Sequence, residues 1–83
     1  MRSRRKRARP EAAPADVVGE LAALITSIKP HALCDSCIAL DVHVSYAEAR
    51  DAAVVNSMRD DAFERLLRRC HRCGRTVTVT AVR

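Results

Sequence analysis

With 83 residues, 48% of them hydrophobic but only 2% aromatic, the chain has room for one small domain and too thin a core to hold it without a staple. Its formal net charge of +5 conceals a division: Arg2, Arg4, Arg5, Lys6, Arg7 and Arg9 supply +6, whereas residues 10–83 carry nine Lys or Arg against ten Asp or Glu, a sum of −1. That division excludes a uniformly basic surface, and a total of two glycines, Gly19 and Gly74, excludes a glycine-rich phosphate loop.

Residues 1–15 read as a disordered basic arm, since like charges beside alanine and proline repel and bury nothing. Such an arm is drawn to polyanions, nucleic acid foremost. The basic start runs into Pro10, Glu11, Pro14 and Asp16 without a clean apolar stretch, so neither a secretory signal nor a membrane partner is expected and a cytoplasmic protein is.

Residues 16–83 form the folded part. Val17, Val18, Leu21, Leu24, Ile25 and Ile28 recur at helical spacing behind Asp16 as an N-cap, and Pro30 ends the run. Cys34 to Asp41 suits a short second helix. Ser45-Tyr46-Ala47-Glu48 is a capping box, in which serine oxygen and glutamate carboxylate each satisfy an orphan N–H, and it predicts a third helix from Tyr46 to Met58. From Phe63 to Arg69 two readings compete. Phe63, Leu66, Leu67 and Cys70 have helical spacing with Asp61 and Glu64 as caps. The strand is preferred, because the alternating strand Thr76-Val77-Thr78-Val79-Thr80-Ala81-Val82 needs an antiparallel partner on its N-terminal side.

The cysteines fall as two short pairs, Cys34-Asp35-Ser36-Cys37 and Cys70-His71-Arg72-Cys73. Two residues between thiolates let the backbone curl until both sulfurs meet one ion, and two such pairs fill a tetrahedron. One structural Zn2+ is the expected cofactor, because four sulfurs suit a soft, redox-inert ion and leave no coordination position for a substrate. The 32 residues between the pairs are more than a compact zinc ribbon needs, so a folded segment sits inside the metal-closed loop. A disulfide framework requires an oxidising compartment. An iron–sulfur cluster or a redox-switching dithiol uses the same ligands and stays open. His31, His43 and His71 read as loop or surface residues, although each could replace a thiolate.

The run Ile38-Ala39-Leu40-Asp41-Val42-His43-Val44-Ser45-Tyr46-Ala47-Glu48-Ala49 carries an apolar-alanine pair, an apolar residue three positions on, a tight turn, a serine cap and a small residue four positions later. With a helix before it and a hairpin after it, the chain resembles the winged helix-turn-helix superfamily, in particular small prokaryotic members in which a Cys-x-x-Cys at the second helix and another in the wing share a zinc ion. The resemblance implies an α+β fold: a small three-helix winged helix with a C-terminal β-hairpin carrying a zinc knuckle. Two positions depart from the pattern. His43 stands where the turn ordinarily has glycine, requiring either an altered backbone or a histidine in the left-handed region. Asn56 falls where a third apolar contact of the recognition helix is expected, with Val54 and Val55 beside it, which leaves a one-residue shift of register open.

The resemblance places Tyr46, Ala47, Arg50 and Asp51 on the exposed side of the third helix, with Arg50 able to read guanine in a major groove. Arg65, Arg68, Arg69, Arg72 and Arg75 on the wing would contact phosphates, and the arm would follow the backbone or enter a minor groove. The expected function is therefore a non-enzymatic DNA-binding protein, a transcriptional regulator or architectural factor, with double-stranded DNA as partner. The alternative is a protein-interaction module or small subunit of a nucleoprotein assembly whose arm binds RNA or an acidic partner. Glu48 and Asp51, which repel phosphate, motivate it, and the wide apolar face of the first helix could equally make a homodimer. A redox or metal sensor is a third reading. No catalytic residue or small-molecule substrate is expected, because Ser36, Ser45 and Ser57 stand in no nucleophile motif.

Overall fold

The computed structural model describes residues 15–83, so the arm and its six cations lie outside the described residues. In chain order the elements are α1 (Ala15–Ser27), β1 (Leu33–Cys34), α2 (Asp35–Val42), α3 (Tyr46–Arg59), β2 (Phe63–Arg69) and β3 (Thr76–Val82). The fold is small α+β: three helices against a three-stranded antiparallel sheet of order β1-β3-β2. Among the described residues no helix is long and apolar enough to cross a membrane.

In α1, Val17, Leu21 and Ile25 recur every four residues, and all three are buried while Val18, Leu24 and Ile28 pack half-buried beside them. Asp16 does not cap this helix from outside. It lies within the first turn, where its carboxylate accepts from the Val17 N–H and meets the positive end of the helix dipole. Pro30 follows the end of α1 at a cis Lys29–Pro30 peptide bond. The inner face of α3 is built from Ala49, Ala52 and Ala53, all fully buried, and side chains this small let α3 approach α1 and α2 closely.

The turn between α2 and α3 takes the second of its two expected solutions: His43 sits in the left-handed region at φ 60 and ψ 48, and its N–H donates to the Ala39 carbonyl. The capping box forms as read. The Glu48 N–H donates to Ser45 Oγ at 3.1 Å and the Ser45 N–H to Glu48 Oε1 at 2.9 Å. The helix keeps its register as well, since Asn56 is buried, Val55 half-buried and Val54 exposed, and α3 runs one residue beyond Met58. Burial leaves the Asn56 Nδ2 without a hydrogen-bond partner.

Residues 63–69 are a strand, paired in unbroken register from Phe63–Val82 to Arg69–Thr76. The helical alternative fails because the acidic cluster ahead of Phe63 closes a turn instead of capping a helix: Asp60 accepts from the Ala62 N–H through its carboxylate and from the Phe63 N–H through its carbonyl. The alternation of β3 holds at its outer end, where Thr76 and Thr78 are exposed, and gives way where Thr80 is fully buried. A short strand was not expected at Leu33–Cys34. It pairs with Thr80 and Val79 and makes β3 the central strand.

Candidate metal centre

The two cysteine pairs reach one point from opposite ends of the domain. Cys34 ends β1 and caps α2 in an extended conformation (φ −80, ψ 165), so α2 begins at Asp35, one residue later than the sequence reading placed it, and Cys37 lies in its first turn. Cys70 follows β2, and the chain reverses through His71, Arg72 and Cys73 to Gly74. This reversal is closed by the Gly74 N–H donating to the Cys70 carbonyl at 3.0 Å and the Cys70 N–H donating to the Arg75 carbonyl at 2.8 Å. Gly74 adopts φ 78, which a side chain would strain.

All four sulfurs lie within 4.8 Å of one another. The two close contacts each join the front pair to the back pair: Cys34 Sγ to Cys73 Sγ at 3.8 Å and Cys37 Sγ to Cys70 Sγ at 3.7 Å. Four sulfurs at about 2.3 Å from a central ion stand about 3.8 Å apart along each tetrahedron edge, so these separations fit a four-sulfur metal site and are far too long for a disulfide, whose bond is about 2.05 Å. Cys34, Cys37, Cys70 and Cys73 can thus hold a single metal ion, and a shell filled by four protein sulfurs is compatible with a structural role. No histidine joins them. His31 and His71 instead stack on each other, ring centroids 4.0 Å apart and planes at 11°.

The local field already prepares thiolates. The Cys73 thiol is lowered to about 6, first by the Arg75 N–H and then by the Arg75 guanidinium. At Cys70 burial pushes the pKa up, but N–H donors from Cys73, Cys34 and Arg72 outweigh it and the net shift is downward; the Cys34 N–H stands 3.4 Å from the sulfur. Cys37 lies on the other side: burial, followed by the hydrogen bonds of the other three cysteines, raises it. The surroundings thus favour the thiolate at Cys73 and Cys70 and the thiol at Cys37.

Beside the sulfurs is a pair that sequence reasoning missed. Asp35, between the first two cysteines, accepts from Arg65 Nη1 at 2.8 Å and from Arg65 Nη2 at 3.0 Å, and Arg65 Nη1 also donates to Thr80 Oγ1 at 3.1 Å. Asp35 is buried, and its carboxylate holds the Arg65 guanidinium above its usual range. Arg65, placed among the phosphate-contacting wing residues by the sequence, is thus spent inside the domain. The only sequence hint was its position, nearest the body of the five hairpin arginines.

The remaining arginines are distributed around the knuckle. Arg72 pairs with Asp41. Arg68 Nη2 donates to the Pro30 carbonyl at 2.8 Å, Arg69 bends over Gly74, and Arg75 lies against Cys73. On α3, Tyr46, Ala47 and Arg50 are exposed, and Arg50 pairs with Asp51 at 3.4 Å. The metal cluster and the α3 positions stand about the first turns of α2 and α3, and a cleft of about 430 Å³ between those turns and the hairpin is lined by Asp35, Tyr46, Leu67, Arg75, Thr76 and Thr78, among others.

No family model, curated protein or solved structure matches the chain.

Proposed function

We propose that this chain is a zinc-stapled winged helix that binds duplex nucleic acid, DNA foremost, and catalyses no reaction. A single ion in a four-sulfur tetrahedron is supported by the sulfur separations of 3.7 and 3.8 Å, and zinc is its preferred occupant because a redox-inert ion suits a closed staple. The winged-helix reading is supported by the sheet order β1-β3-β2 behind three helices and by the left-handed His43 between α2 and α3. One observation carries the functional step: the first turn of α3 presents Tyr46, Ala47 and Arg50 outward, with Tyr46 across a cleft from Arg75, Thr76 and Thr78 of the hairpin. A helix start flanked by a hairpin is the geometry that sets one element in a major groove and the other on the adjoining backbone.

The acidic residues of α3 oppose this less than their number suggests. The Glu48 carboxylate is turned back onto the Ser45 N–H at the positive end of the helix dipole, and Asp51 is paired with Arg50. Wing contacts fall to Arg68, Arg69, Arg72 and Arg75, without Arg65.

The test is an anisotropy titration of the zinc-loaded chain against duplexes over a salt series. Each phosphate neutralised adds about 0.9 to the slope of log K against log salt. Deleting residues 2–9 should flatten that slope, and Arg50→Ala should relax the preference among sequences. Absence of duplex binding at low salt removes the proposal. A protein-docking reading is favoured by Leu40, Tyr46, Met58 and Leu67, apolar side chains left exposed, two of which line the same cleft. A stoichiometric protein partner on purification, with duplex affinity indifferent to Arg50→Ala, selects it.

A further inference from the structure

At the knuckle lies a second cavity of about 540 Å³ lined by His31, Ala32, Arg68, Arg69, Cys70, His71, Arg72, Cys73 and Gly74. Three arginines and two histidines line it, and among the described residues no carboxylate does. The rest of the described chain is balanced: residues 15–83 carry nine Lys or Arg against nine Asp or Glu.

The geometry points to a seat for one phosphate group in this cavity, held by Arg68, Arg69 and the His31–His71 stack. The walls are fixed in advance. The loop before β1 is tied to the knuckle by the His71 N–H donating to the Ala32 carbonyl at 2.8 Å, and to β2 by Arg68 donating to the Pro30 carbonyl at 2.8 Å. That bond uses one Nη of Arg68 and leaves its other donors for a ligand. The Arg69 guanidinium lies across the knuckle, 3.5 Å from where a Cβ on Gly74 would stand, and it makes no ion pair with a described residue. The imidazoles, stacked 4.0 Å apart, bring ring N–H donors to the same wall.

These cations are not simply the counter-charge of the metal centre. A four-thiolate zinc site carries about two net negative charges. They are met by Arg75, whose guanidinium lies by Cys73 and Cys34, and by backbone N–H groups, whereas Arg72 is already paired with Asp41. Arg68 and Arg69 contribute to neither arrangement. The knuckle N–H groups of His71 and Gly74 are spent on carbonyls, so an anion there is held by side chains, and planar guanidinium groups match phosphate oxygens in pairs. The phosphate can belong to a nucleic acid backbone or to a free phosphomonoester.

The experiment follows the His31 and His71 ring resonances and the arginine Nε resonances of the zinc-loaded full chain by NMR. The probes are inorganic phosphate, a nucleoside monophosphate and a short duplex, with ionic strength held constant by chloride. Saturable shifts at His31, His71, Arg68 and Arg69, with Arg59 on α3 unmoved, are expected. Arg68→Gln and His31→Gln should each weaken phosphate binding about tenfold, the loss of one charge-assisted hydrogen bond, while zinc content, read by native mass spectrometry, stays at one equivalent. A duplex that displaces inorganic phosphate from the seat assigns it to nucleic acid, and saturation by the monophosphate alone assigns it to a small phosphoester. Linear shifts spread over every arginine, or saturable binding indifferent to both substitutions, overturn the proposal. Either result leaves the α3 cleft untouched, since that reading is probed by Arg50.

Discussion

Replacing Asp35 by alanine strands the Arg65 guanidinium inside the hairpin, and the structure sets the scale of the loss. The pair has two parallel hydrogen bonds, 2.8 and 3.0 Å, with side chains 7% exposed for Asp35 and 18% for Arg65. Breaking a fully buried pair by removing one partner costs about 3–5 kcal/mol. Residual access of water to Arg65 lowers this, and we expect about 2–3 kcal/mol. Folding and metal binding are coupled in a domain this small, so the same loss should appear as a roughly 30- to 150-fold weaker apparent zinc affinity. The assay is urea denaturation of the zinc-loaded chain, with zinc affinity measured by competition against a chromophoric chelator. Asp35→Ala combined with Arg65→Met should recover most of the loss, because an apolar pair of similar volume carries no desolvation penalty. A single-variant cost below about 0.5 kcal/mol, on the scale of an exposed pair, would refute the reasoning. So would a double variant as unstable as the two singles added together, since it would mean the two residues do not act through each other.

Exhaustive chelation under reducing conditions should abolish the cooperative thermal transition seen by circular dichroism, because a structural zinc contributes on the order of 10 kcal/mol; a cooperative fold persisting without metal contradicts the staple. In the zinc-loaded protein, whose fold is intact, iodoacetamide should modify Cys73 first and Cys37 last, read by peptide mass mapping, since Cys73 is exposed and Cys37 is buried; equal rates at the two contradict that placement. His43→Gly should raise the unfolding free energy by up to about 1 kcal/mol, read by urea denaturation, relieving the left-handed backbone at φ 60; a loss of stability instead shows that the imidazole makes a favourable contact. Asn56→Leu should stabilise by about 1–2 kcal/mol, the cost of burying the unpartnered Nδ2, and a destabilised variant would place an unseen polar partner at that site.

What could be read from the chain depended on how local its cause was. The capping box at Ser45 and Glu48, the end of α1 near Pro30 and the convergence of the two Cys-x-x-Cys pairs follow from groups a few residues apart or from the demands of one ion, and they were legible. His43 and Asn56 looked like departures from a pattern, and both turn out to be tolerated where the pattern puts them, one in the left-handed turn and one inside the core. Leu33–Cys34 could not be read as a strand, because two residues have no periodicity and only their pairing with Thr80 and Val79 makes them one. Likewise, apart from its place nearest the body of the domain, nothing within ten residues of Arg65 marks it as internal. Its partner lies thirty residues upstream, and a run of five hairpin arginines hides the one that is spent.

The metal cluster and the Asp35–Arg65 pair together do what neither could alone. Arg65 is five residues before Cys70, a separation of about 17 Å along an extended strand. The hairpin is therefore held to the start of α2 at two points: at its base through the carboxylate of Asp35, and at its tip through Cys70 and Cys73. One anchor fixes a position and leaves a pivot, whereas two anchors that far apart fix an angle. Because Cys34 meets Cys73 and Cys37 meets Cys70, neither ligand pair can complete the metal shell by itself, so closing the site and setting the hairpin against the helices are one event. Tyr46 stands on one wall of the resulting cleft and Thr76 and Thr78 on the other. The width of that cleft is then governed by the metal and the ion pair, and a domain with two aromatic side chains can hold it constant without a larger core.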